Sequence, residues 1–198
     1  MPEQLWLPGL EAPPKLTDGL FFAVFPDSRT AAAMAKLGEA FCTQSRSKSK
    51  PLVASRLHVT LGHLGKFSGG LPQDVVDAAS QAAGSIRTEP FSVQFDMARS
   101  FASRPRPGPL VLTGSDGVAG LYKFQDVLAE ALRNAGIAGS AESPAEPFLP
   151  HVTLAYGLPW AEAIAVEPAC WNVREFALVH SLVGRTRHVV LAKWSLAG

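Results

Sequence analysis

Cysteine is scarce in this chain: Cys42 and Cys170 are the only two in 198 residues. Their spacing suits neither a metal nor a redox pair, which points to a reduced, cytoplasmic chain. Net charge is nearly absent as well. Eighteen Lys and Arg against 17 Asp and Glu leave +1, with an isoelectric point near 7.8. That balance excludes retention on long nucleic acid by charge alone. No apolar run is long enough to span a membrane, and the first residues lack the basic-then-apolar order of a signal peptide. No G-x-x-x-x-G-K loop and no G-x-S-x-G elbow occur, so nucleoside triphosphate and acyl-serine chemistry find no support. Carboxylates at metal-binding spacing are missing too, so neither a metal nor another cofactor is expected.

A hydrophobic content of 47% is enough for a sizeable core, in one large domain or two small ones. Residues 1–18 read as an amino-terminal arm: Pro2, Pro8, Pro13 and Pro14 forbid a helix, while Leu5, Trp6, Leu7 and Leu10 suit packing onto the domain that follows. Residues 19–198 form that domain. Leu20–Phe25 is a buried-strand run, and Asp27 or Ser28 can cap a helix whose stripe runs from Ala31 to Phe41. A strand follows near residue 58, then a Gly-rich turn, a helix over about 72–86 and a strand from Phe91. The second half repeats the order, with a strand at Leu110–Thr113, a helix over Leu121–Leu132, a strand near residue 151, a short helix or turn over 160–166, and a strand over 173–179. Leu191–Leu196 alternates as a last strand. A repeat of about 90 residues implies two lobes related by a pseudo-twofold axis.

Each half contains the same tetrapeptide, His58-Val59-Thr60-Leu61 and His151-Val152-Thr153-Leu154. Residues two apart on a strand share a face, so each copy sets an imidazole and a hydroxyl on one side and two apolar anchors on the other. Two such units facing one another would pair an acid with a base, since an imidazole titrates near 6.5. The hydroxyls beside them could hold the non-bridging oxygens of a phosphate as phosphorus becomes pentacoordinate. That is metal-free phosphodiester chemistry. His63 lies five residues after His58 and falls on the opposite face of a regular strand, and His180 and His188 suit surface or hydrogen-bonded roles. Two basic stretches, Arg46 to Arg56 and Arg99 to Arg106, are expected to border the cleft.

The paired motifs resemble those of the two-histidine (2H) phosphoesterases, and within them the bacterial 2'-5' RNA ligase/RNA 2',3'-cyclic phosphodiesterase group. The similarity covers residues 19 to 197 and includes Leu20–Asp27, Phe176–Ser181 and Gly184-Arg185. It implies an α+β fold of two lobes, each an antiparallel sheet backed by helices, around a central cleft. It further implies hydrolysis of a 2',3'-cyclic phosphate to a 2'-phosphomonoester, and reversible 2'-5' joining of RNA ends. His58 would be the proton donor, His151 the acceptor, and Thr60 and Thr153 the phosphate ligands. Many relatives carry arginine where this chain has Tyr156, so Tyr156, Arg104, Arg106 and His63 are candidate substrate contacts, with Tyr156 able to stack on a base. The expected partners are RNA ends or small cyclic nucleotides, with no membrane, no obligate protein partner and a monomeric state. Two other readings compete. One keeps the chemistry on a small cyclic nucleotide, an ADP-ribose cyclic phosphate or a 2'-5' oligonucleotide; the other is a non-catalytic module that binds RNA ends.

Overall fold

The computed structural model describes residues 14–45, 48–101, 108–137, 147–158 and 162–197. Eight strands and three α-helices make up the described fold. In order they are β1 (Asp18–Val24), α1 (Ser28–Gln44), β2 (Val59–Phe67), α2 (Gln73–Ser85), β3 (Phe91–Ser100) and β4 (Leu110–Thr113). Then come α3 (Ala119–Asn134), β5 (His151–Ala155), β6 (Ile164–Val173), β7 (Glu175–Leu182) and β8 (Arg187–Ser195). The first strand begins at Asp18, one residue inside the segment expected as an arm. Residues 1–13 of that segment lie outside the described residues. Where a short helix or turn was expected over 160–166, β6 begins at Ile164. Its long run, with Val166, Trp171 and Val173 turned toward the core, is interrupted by Glu167 and Pro168, which hide the strand from a reading by alternation.

All pairings are antiparallel, and the strands form one sheet in the order β6-β3-β4-β5-β2-β1-β7-β8. The two lobes are its halves, joined at β2 and β5 through the pair Val59 and Val152. The motif strands are thus neighbours at the seam. About that seam β1 corresponds to β4, β7 to β3 and β8 to β6. Each lobe therefore takes strands from both halves of the sequence.

Arg174 alone separates β6 from β7, although six strand spacings lie between them in the sheet order. A flat sheet would hold them about 29 Å apart at ~4.8 Å per strand. Two residues reach only about 7 Å. The sheet therefore bends strongly, so that the ends of the two lobes meet at Arg174.

One face of the sheet packs on the helices. Leu20, Phe22 and Val24 of β1 join Met34 and Phe41 of α1 and Phe124 of α3 in a single buried cluster. Phe124 sits edge-on to Phe176, with ring centroids 5.0 Å apart, an arrangement that adds to simple area burial. Asp27 caps α1: its carboxylate accepts from the Thr30 amide at 2.9 Å. The opposite face of β1 carries Phe21 and Ala23, which pack with Ala177 and Val179 of β7. That second face is the one that matters for the site.

Candidate active site

Val59, Leu61, Val152 and Leu154 are all buried in the helix-side core, so the alternation within each motif turns His58, Thr60, His151 and Thr153 to the other face. There all four line one cleft of about 270 Å³. The apolar residues anchor the strands; the polar ones are left facing solvent and each other.

The two imidazoles are held in the same way. Nδ1 of His58 donates to the Arg56 carbonyl at 2.7 Å, and Nδ1 of His151 donates to the Leu149 carbonyl at 2.8 Å. A carbonyl oxygen can only accept, so Nδ1 carries the hydrogen in both rings. Each Nε2 is then the atom that exchanges a proton: an acceptor in the neutral ring, a donor in the cation.

Their surroundings differ. His58 is enclosed by Phe21, Phe25 and His188, at centroid distances of 5.3, 6.0 and 5.2 Å. His151 meets the edge of Phe101 at 4.9 Å. Burial pushes the His58 imidazolium down to about 4, with the charges of His188, Arg56 and His151 acting in the same direction against the bond to Arg56. Burial likewise lowers His188 and His63, the latter also through the charge of Lys66.

His63 faces the cleft, contrary to the expectation from a regular strand. The pairing of β1 with β2 slips twice, between Phe22 and Ala23 and between Leu20 and Phe21, so that Leu61 and Leu64 are extra residues on β2. A bulge resets the phase of side-chain alternation, and the first one turns His63 to the side of Thr60. Tyr156 stands five residues after His151 as His63 does after His58; it lines the cleft and is 58% exposed.

His188 also lines the cleft, a correction to the surface or hydrogen-bonded role expected of it. Its Nδ1 is buried without a hydrogen-bond partner. His180, by contrast, is engaged elsewhere: its Nε2 donates to Asp18 at 2.6 Å. Neither Lys48, Lys50, Arg56 nor Arg99 lines the cleft, whereas Lys66 does. Of the first basic stretch, Ser49 donates to the Gly157 carbonyl at 3.0 Å, which sets that loop beside the Tyr156 turn. Arg99 stands over Phe101, 6.0 Å from the ring centre, one ring away from His151. Arg46, Arg104 and Arg106 lie outside the described residues.

Two imidazoles with matched backbone tethers, flanked by two strand-held hydroxyls in one cleft, define a paired-histidine phosphoesterase. A family model for the 2'-5' RNA ligase superfamily matches residues 24–185, and the chain belongs to that superfamily. It is similar to the RNA 2',3'-cyclic phosphodiesterase of Escherichia coli strain K12, with 31% identity over 153 residues, covering 74% of this chain and 80% of that protein. Among solved structures, E. coli LigT complexed with 3'-AMP superposes with a TM-score of 0.67 at 26% identity, over 92% of this chain and 99% of LigT. TT0787 of Thermus thermophilus shares the fold, with a TM-score of 0.70 at 23% identity over 91% and 98% of the two chains.

Proposed function

We propose that the protein is an RNA 2',3'-cyclic phosphodiesterase that works by acid–base catalysis without a metal and yields 2'-phosphomonoester ends. The observation that carries this reading is the matched pair of Nδ1-tethered imidazoles, each beside a threonine, in one cleft. His151 takes a proton from water as the oxygen attacks phosphorus. The bond from phosphorus to the 3' oxygen breaks, and His58 delivers the proton that this oxygen needs. The products are a 2'-phosphate and a free 3'-hydroxyl. Thr60 and Thr153 hold the non-bridging oxygens, and fixed donors of this kind stabilise charge as it develops. With the 5'-hydroxyl of a second RNA in place of water as nucleophile, the same pair joins RNA ends through a 2'-5' linkage and frees the 3'-hydroxyl. The step reverses when that 3'-hydroxyl attacks the phosphorus.

His58 is neutral in the protein alone at neutral pH, because burial holds its pKa near 4. An anionic phosphate brought against the ring favours the cation, so substrate itself loads the proton donor. Tyr156, exposed at the rim, offers a face on which the terminal base stacks; such contacts are worth about 1–3 kcal/mol in single-strand binders. RNA ends and nucleotides are the ligands, and the protein acts as a monomer in the cytoplasm.

The test is hydrolysis of an oligoribonucleotide ending in a 2',3'-cyclic phosphate, with and without chelator. The expected product carries a 2'-phosphate, at equal rates in both conditions. Binding without turnover, or loss of turnover on chelation, overturns the proposal. Turnover confined to small cyclic nucleotides moves the substrate and leaves the chemistry standing.

A further inference from the structure

Antiparallel pairing sets the residues of the cleft floor level with one another in three rows. Thr60, Ala23 and Ala177 form the first, His63, Phe21 and Val179 the second, and Lys66, Gly19 and Ser181 the third. The first row holds the reacting phosphate in the proposed chemistry. The third has a different character. Its middle member has no side chain, so an ammonium on β2 and a hydroxyl on β7 stand on either side of a gap. Lys66, Gly19 and Ser181 all line the same cleft as the two motif histidines. Lys66 is exposed, and the ion pairs among the described residues are His180 with Asp18 and Lys193 with Glu175, leaving its ammonium available. Among the described residues, no carboxylate lines the cleft. A saddle flanked by a free cation and a hydroxyl, with no competing anion, is a site for a phosphate.

We propose that Lys66, Gly19 and Ser181 form a second anion subsite, which takes the phosphate on the 5' side of the terminal nucleoside. This deepens the phosphodiesterase reading and rests on it for the position of the reacting phosphate. The direction follows from chemistry: a chain ending in a 2',3'-cyclic phosphate has nothing beyond that end, so any second phosphate lies 5'. The distance fits. Successive rows are two residues apart on β1, about 6.6 Å, and the third row is about 13 Å from the first at ~3.3 Å per residue. One ribose between two phosphates, met by the extended Lys66 stem, spans that interval. The charge of Lys66 also acts with burial to lower His63 in the row between, so its field reaches along the floor toward the first row. The consequence is selectivity: a nucleotide with a 5' phosphate or an internal linkage binds better than a bare nucleoside cyclic phosphate.

Two variants probe the subsite by different means. Lys66→Met removes the charge. Gly19→Ala fills the gap: a methyl there would meet Ser181 Cβ at 3.5 Å, Ser181 O at 3.8 Å and Gly65 O at 4.0 Å, ordinary contacts that β1 can accommodate, and Gly19 is not among the glycines of positive φ. Calorimetric Kd values are measured for adenosine 2'-phosphate, adenosine 2',5'-bisphosphate and a dinucleotide ending in a 2'-phosphate, with thermal melts confirming that each variant is folded. In the unaltered protein the second phosphate should tighten binding about tenfold, the scale of one charge-assisted contact. Each variant should reduce that gain to about threefold or less, and Lys66→Met should lower the salt slope by about one. A gain with the dinucleotide assigns the subsite to an internal linkage, and a gain with the bisphosphate alone assigns it to a free 5'-phosphate; either supports the proposal. No gain in the unaltered protein, or a full gain in both variants, overturns it. These affinities do not depend on turnover, so a failure of the cyclic phosphodiesterase assay would be seen separately.

Discussion

His58 and His151 share a backbone tether but not an environment, and the difference predicts how activity responds to pH. His58→Ala and His151→Ala should each remove most cyclic phosphate hydrolysis while leaving circular dichroism and melting behaviour near those of the parent. The double variant should be no worse than the weaker single one, because both groups act in one transition state. Thr60→Val or Thr153→Val keeps shape and strand propensity and removes one donor, so a loss of about one to three decades in kcat is expected. Full activity after loss of either imidazole would end the paired mechanism. The profile of kcat/KM against pH reports the free enzyme. With His58 near 4, its acid limb should lie well below the ordinary histidine value of about 6.5, and NMR titration of the His58 ring should show the same lowered midpoint. A midpoint at or above the ordinary value would contradict the part assigned to the Phe21, Phe25 and His188 enclosure.

At the scale of elements, much of the chain was legible because the signals were local. The helix caps and stripes placed α1, α2 and α3 to within a few residues, and the duplicated tetrapeptide located both motif strands. What could not be read were features set by pairing. The bulges at Leu61 and Leu64 have no sequence mark of their own, yet the first decides which way His63 faces and the second which way Lys66 does. His188 comes to the cleft because Ser181 pairs with it across β7 and β8, and Lys66 because it lies level with Gly19. Neither was separable in sequence from an ordinary exposed polar residue. The cap of α1 offers a direct check on the elements. Asp27 bonds to the Thr30 amide and hydroxyl, and Thr30 in turn donates to the Cys170 carbonyl of β6 at 3.1 Å. Asp27→Ala should therefore cost about 1 kcal/mol, the usual size of an N-cap, read as a lower urea midpoint with an unchanged m-value. No change would mean that Thr30 alone holds this end of the helix.

At the scale of the whole molecule, the imidazoles and carboxylates that folding perturbs among the described residues all move in one direction. His58, His63 and His188 are lowered by burial. Hydrogen bonds from Thr17 and His180 hold Asp18 down, and the Thr30 amide does the same for Asp27. A group whose pKa is lowered in the folded state lets the unfolded chain take up protons first, so stability falls as pH falls. For His58 the window runs from about 6.5 down to about 4 and corresponds to on the order of 3 kcal/mol. The urea midpoint should drop steadily between pH ~7 and pH ~4.5, and less so in His58→Gln. A midpoint that holds or rises over that range would show that these imidazoles charge freely in the native state.

The bend at Arg174 and the mixed parentage of the lobes also bear on how the chain reaches its structure. The polypeptide enters the first lobe, leaves it after β2, and returns only at β7, which pairs with β1 from the other end of the sequence. Neither half of the sequence encodes a lobe. Pairings of such long range make folding slow and late to commit, and a nascent chain cannot complete its first lobe until almost all of it has been made. Two fragments cut between β3 and β4 should each be inert and unfolded alone, and should regain the cleft and its activity only when mixed.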